Sequence, residues 1–178
     1  MNGNAADTRC RRMLAVLLAG ALLSACASAP SRVEDWYQSL TVKMLRKKGD
    51  RQIADPGTVS RELACDLRGA PQARSESSEV LPERPRPGRE VNHRWVYAAC
   101  PAANEALSGV LTRRVSQRGR TLFEDTENLA LKPGRWSVDV FIGIPPQAQA
   151  GTYRLDLRFE RRGGLQLEAA SDFVVVAP

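Results

Sequence analysis

Residues Gly151–Glu160 read GTYRLDLRFE. In an extended chain Tyr153, Leu155, Leu157 and Phe159 point one way, and Arg154, Asp156, Arg158 and Glu160 the other. Strict alternation of apolar and charged residues is the signature of a strand with one buried and one solvated face. The same reading extends outward in both directions. Gly163-Gly164 predicts a hairpin, and Leu165, Leu167 and Ala169 begin a returning strand that Phe173–Val176 completes, with Ser171-Asp172 as a candidate bulge. Upstream, Trp136, Val138, Val140, Ile142 and Ile144 follow the turn Lys132-Pro133-Gly134 and stop at Pro145-Pro146, where no backbone N–H can join a ladder. Trp95, Tyr97 and Ala99 share a face, and a weaker pair of strands, about 109–116 and 120–124, flanks the turn Arg118-Gly119. About seven short strands at regular spacing predict an antiparallel sandwich rather than a parallel sheet.

Gly151-Thr152-Tyr153 resembles the tyrosine corner of immunoglobulin-like domains, in which a Tyr near the start of strand F hydrogen-bonds back to the chain. The resemblance covers residues 93–178. Antibody domains have a cysteine two residues after that tyrosine; here Leu155 stands there, so their inter-sheet disulfide is excluded, while the fold is not. A transthyretin-like sandwich with an incidental Gly-x-Tyr is the competing architecture.

The chain's beginning carries a different signal. Arg9, Arg11 and Arg12 precede an apolar run over 13–23, which ends in Leu23-Ser24-Ala25-Cys26. A basic flank, a short apolar core and small residues before a cut site make an export signal. The run is too short to span a bilayer, which needs about 20 apolar residues. With the cysteine directly after Leu-Ser-Ala, the segment resembles the lipobox of bacterial lipoproteins. That resemblance implies that residues 1–25 are removed and that acylated Cys26 holds the mature chain in the lipid bilayer. Two or more acyl chains anchor stably where one does not. Ala27 stands where an Asp would resemble the inner-membrane retention signal, so the implied place is the outer membrane, facing the periplasm.

Between anchor and strands, Ser31-Arg32-Val33-Glu34 fits a capping box, and Val33, Trp36, Tyr37, Leu40 and Met44 recur at helical spacing. An amphipathic helix over 32–48 is expected, stopped at Gly49 after three basic residues. Its apolar stripe serves either core packing or the lipid surface beside the anchor. Asp55-Pro56-Gly57 reads as a turn, and Leu63, Cys65 and Leu67 as a short strand. Residues 68–92, rich in Pro, Arg, Ser and Glu, read as a loop or disordered span. The expected organisation is therefore a signal at 1–25, a tether and helix at 26–57, and a sandwich domain at 58–178. Of four cysteines, Cys10 leaves with the signal and Cys26 is acylated. Cys65 and Cys100 remain, as a disulfide in an oxidising compartment or as two buried thiols.

Composition narrows function by exclusion. The formal charge of +6 falls to +4 once residues 1–25 leave, a mild excess compatible with anionic envelope polymers. Export disfavours nucleic acid as a partner. The single histidine, His93, has no nucleophile-elbow glycine pattern to serve, and two thiols with one imidazole do not make a zinc set. Glu124-Asp125-Thr126-Glu127 is an acidic cluster, read as a solvated turn in preference to a loose Ca²⁺ site. No cofactor is expected. The expected role is a non-enzymatic binding or assembly module whose partner is an envelope protein complex or peptidoglycan. Candidate surfaces are the loop Pro145–Ala150, the turn Arg161–Gly164 and the basic stretch Lys43–Arg51. The alternative is an envelope hydrolase, or an inhibitor of one, using carboxylates such as Glu124 or Asp125.

Overall fold

The computed structural model describes residues 48–65, 72–100 and 105–177. Eight strands and one helix follow in the order β1 (Lys48–Ala54), α1 (Pro56–Leu63), β2 (Gln72–Leu81), β3 (Glu90–Cys100), β4 (Leu107–Gln117), β5 (Arg120–Leu131), β6 (Gly134–Gly143), β7 (Gly151–Glu160) and β8 (Gln166–Val175). They form two four-stranded antiparallel sheets, ordered β1-β6-β3-β2 and β5-β4-β7-β8. The second order matches C′-C-F-G of the immunoglobulin fold. The first matches A-B-E for β2, β3 and β6, with β1 at the edge that constant-type domains give to strand D. The protein is an immunoglobulin-like sandwich.

The period-two residues of the sequence face one another across the sheets. Trp95, Tyr97 and Ala99 of β3, Val138, Val140 and Ile142 of β6, Leu111 and Val115 of β4, Phe123 and Leu131 of β5, and Tyr153, Leu155, Leu157 and Phe159 of β7 make one continuous core. Trp136 lies at its rim, with Nε1 donating to the Pro133 carbonyl at 2.8 Å. Gly109 in β4 sits over Phe159: a Cβ there would come within 2.5 Å of both that ring and the Glu160 carbonyl oxygen. At the hinge between β4 and β5, Arg118 (φ 50) and Gly119 (φ 76) both take left-handed conformations, the geometry of a two-residue hairpin turn.

The regions without hydrophobic period differ from expectation. Most of the expected helix over 32–48 lies outside the described residues, but Lys48 already begins β1, which pairs with β6. The sandwich thus starts at residue 48 rather than 58. Asp55-Pro56-Gly57 is not a free turn but the start of α1: Asp55 caps it by accepting from the Thr58 N–H at 3.0 Å, and Pro56 occupies the first turn. Helix, not strand, continues through Leu63, and its Val59 is fully buried. Ser171 and Asp172 pair in unbroken register, so the expected bulge is absent there; the extra residues are instead Ile53 in β1, Glu76 in β2 and Leu122 in β5.

The largest correction concerns residues 68–92. Within them β2 pairs with β3 from Gln72 to Leu81, and only the next few residues form a loop. That loop is itself paired: the Glu83 and Pro85 carbonyls accept from the Val174 and Val176 N–H groups, at 2.8 and 3.0 Å. The prolines suit this role, because the edge of β8 needs acceptors and Pro supplies a carbonyl without an N–H. A disulfide joins Cys65, just after α1, to Cys100 at the end of β3, with Cα atoms 6.3 Å apart.

Candidate functional site

His93 lies on the inner face of β3, 1% exposed. Its Nε2 is 3.0 Å from Ser78 Oγ of β2, which is 3.2 Å from Ser171 Oγ of β8. Burial, and secondly the Arg113 charge, push the imidazole down to about 3, with Asp139 opposing. His93 is therefore neutral at ordinary pH and bridges the two sheets as a core polar group. Asp139 shares no hydrogen bond with it: on the outer face that carboxylate accepts from Asn92 Nδ2 at 2.6 Å and Arg94 Nε at 3.0 Å.

Glu124, Asp125 and Glu127 sit in β5 rather than in a turn, and alternation sends them to different faces. Glu124 points outward and accepts from Arg114 Nε at 2.7 Å. Asp125 and Glu127 face Arg113, whose guanidinium is 1% exposed; Nη1 lies 2.6 Å from Glu127 and 3.9 Å from Asp125. A buried guanidinium requires such a carboxylate, since a lone interior charge is costly. Sequence reasoning did not single out Arg113, because its place in the apolar series Leu107, Leu111, Val115 is visible only once the strand register is known.

Across the outer faces, cations and carboxylates neutralise one another. Arg154 pairs with Asp156 and Arg158 with Glu160. Arg135 joins Glu76 of β2 and Glu62 of α1, each at 2.6 Å, and these carboxylates raise its affinity for its proton. Lys132 pairs with Asp50 and covers the Trp136 ring.

One end of the sandwich is different. The loop after β2, the β4–β5 turn and the loop before β7 all lie there, as β3 starts and β6 ends there. Arg84, Arg86, Arg89, Arg118 and Arg120 are all exposed, and none has an ion pair or side-chain hydrogen bond among the described residues. Among the described residues 82–90 and 118–120, the acidic ones are Glu83 and Glu90. The expected loop Pro145–Ala150 belongs to this end: Ile144 exchanges backbone hydrogen bonds with Gly88 and Arg89. The turn Arg161–Gly164 belongs to the opposite end, beside the start of β4. Of the stretch Lys43–Arg51, residues 48–51 are part of β1, and the rest lies outside the described residues, as do Cys26 and the lipobox-like segment. The arginine end was missed in the sequence because its two clusters are some 30 residues apart and one lay in a segment read as a loop or disordered span.

Among the described residues no cluster of His, Cys, Asp and Glu could hold a metal ion, and no helix is long and apolar enough to cross a membrane. No protein-family model matches the chain, and no curated protein matches it. Solved structures do. A Paenibacillus sp. cycloisomaltooligosaccharide glucanotransferase is similar at 14% identity and a TM-score of 0.49, over 58% of this chain and 14% of the enzyme. Spo0M, the sporulation control protein of Bacillus subtilis, is similar at 15% identity and a TM-score of 0.42, over 62% of this chain and 51% of its own. The CARDB domain of a Pyrococcus furiosus protein, solved with di-metal ions, is similar at 16% identity and a TM-score of 0.42, over 61% of this chain and 90% of that domain. The immunoglobulin-like assignment rests on strand order and the tyrosine corner, and these likenesses assign no activity, substrate or partner to the chain.

Proposed function

We propose that this chain is an acyl-anchored envelope lipoprotein whose immunoglobulin-like sandwich is a non-enzymatic binding or assembly module. The anchor is Cys26, and the place is the outer membrane, facing the periplasm. The observation carrying the binding role is where the reactive side chains are spent. His93 is held neutral inside the core, Asp125 and Glu127 face a buried guanidinium, and Glu124 is paired on a sheet face. Groups committed to holding a fold are poorly placed to turn over a substrate, while the end loops and their arginines remain open to a partner.

Two measurements test the proposal. Labelled fatty acid should enter the wild-type chain in cells and not Cys26→Ser; equal labelling of both overturns the anchor. Cross-linking in cells should return a defined envelope partner, with no turnover of envelope glycans or peptides by the purified protein. Turnover that disappears in Glu124→Gln or Asp125→Asn would overturn the binding-module reading.

A further inference from the structure

We propose that the arginine-bearing end of the sandwich seats on the headgroup surface of an anionic bilayer, making it the membrane-facing end of the domain. The inference deepens the anchored reading above and rests on it in one respect, the route of the chain.

Charge complementarity is the first argument. Arg84, Arg86 and Arg89 lie on the loop bound to the edge of β8, while Arg118 lies in the β4–β5 turn of the same sheet and Arg120 directly after it. The order β5-β4-β7-β8 puts two strands between these edges. At about 4.8 Å per strand, the clusters are roughly 15 Å apart. That makes a broad exposed end rather than a pocket, suited to many headgroups at once. A guanidinium binds phosphate in a two-pronged geometry and remains charged at any physiological pH. Arg114, Arg154 and Arg158 on the sheet faces have their charge met by neighbouring carboxylates, whereas these five have no ion pair among the described residues.

The path of the chain is the second argument, and it favours a membrane over a soluble polyanion or an acidic protein. β1 runs antiparallel to β6, and Lys48 pairs with Val140, three residues from the end of β6 at the arginine end. The chain from Cys26 therefore reaches the sandwich at the arginine end. A strand of ten residues is about 33 Å long. Presenting the opposite end to the bilayer would require residues 27–47 to run back along that whole length first. With the arginine end down, the same residues need only bridge the gap between lipid and domain.

The test uses the mature chain from residue 26 with Cys26→Ser, so that no acyl group contributes, sedimented with two kinds of vesicle. One is phosphatidylcholine alone and the other contains 30% phosphatidylglycerol. The chain should bind the anionic vesicles only, and lose that binding as salt rises from 50 to 500 mM. Replacing all five arginines by Gln should abolish sedimentation. Arg118→Gln/Arg120→Gln should weaken it roughly 25-fold, about fivefold for each charge near the surface. Arg161→Gln/Arg162→Gln, at the other end, should leave it unchanged. Equal binding by the parent and the five-residue variant, or equal losses from the two double variants, overturns the proposal, as does binding to neutral vesicles. The altered side chains have no partners among the described residues, so each variant should keep the parent's circular dichroism and unfolding midpoint; a shifted midpoint in the five-residue variant leaves the decision to Arg118→Gln/Arg120→Gln. Failure of fatty-acid labelling would remove the anchor without altering this vesicle result, so the two readings fail separately.

Discussion

The Tyr153 hydroxyl donates to the Gln149 carbonyl oxygen at 2.8 Å. This bond ties the start of β7 to the loop that brings the chain across from β6, and the ring stacks on Phe173 of β8 with centroids 5.4 Å apart. Burial raises the affinity of the phenol for its proton, so it stays a donor across the working pH range. Tyr153→Phe keeps the ring and removes the donor to this carbonyl. Chemical denaturation should show a loss of about 1–2 kcal/mol with an unchanged m-value.

Gly109→Ala should destabilise by about 2–3 kcal/mol. The added methyl meets the Phe159 ring and a backbone oxygen at 2.5 Å, and the backbone oxygen cannot swing aside. The double variant Gly109→Ala/Phe159→Leu should recover part of the ring clash only, which a double-mutant cycle in urea would measure.

The Cys65–Cys100 bridge closes a separation of 35 residues and fastens α1 to the end of β3. Mass spectrometry of the native, non-reduced protein should find both thiols oxidised. Replacing both cysteines should cost about 3–4 kcal/mol on the chain-entropy estimate.

Glu127→Gln leaves the Arg113 guanidinium buried with Asp125 as its more distant carboxylate. The expected loss is about 3 kcal/mol. Arg113→Met with Glu127→Gln should be milder than Glu127→Gln alone, because the stranded charge is gone; thermal unfolding of the three proteins checks the order.

His93 makes the fold acid-sensitive. Its folded-state value of about 3 lies below the unfolded 6.5, so the unfolded chain binds more protons between those limits. Stability from this residue is complete above about pH 6.5 and declines as pH falls, by up to about 1.4 kcal/mol per unit. His93→Leu should flatten the stability profile between pH 6 and pH 4, measured by denaturant midpoints.

The fold's centre was legible in the sequence because a strand with one wet face must alternate. β3, β6 and β7 were each read from their apolar series, and Gly-Thr-Tyr announced the corner. Arg118-Gly119 was read correctly for a related reason, since a two-residue hairpin needs left-handed backbone and Gly supplies it at little cost. The two edge strands of the first sheet were not legible. β2 reads QARSESSEVL and buries only Val80, so its pairing rests on backbone hydrogen bonds that leave no hydrophobic period. β1, KGDRQIA, is still more polar, and Ile53 remains half-exposed. Asp55-Pro56-Gly57 was ambiguous because the residues that favour a turn also cap and begin a helix.

By itself the sequence determined which segments alternate and where the tight turns fall, and through the lipobox resemblance it left Cys65 and Cys100 as a pair either bridged or buried as thiols. These are local properties of neighbouring residues, set by side-chain polarity and backbone freedom. Only the tertiary structure decided that Arg113 is buried against Glu127, that His93 joins the sheets, and that five arginines from two distant segments share one end. Those relations depend on register and on which strand lies beside which. Both emerge when eight strands must bury one face each against the opposing sheet, and no window of sequence contains that constraint.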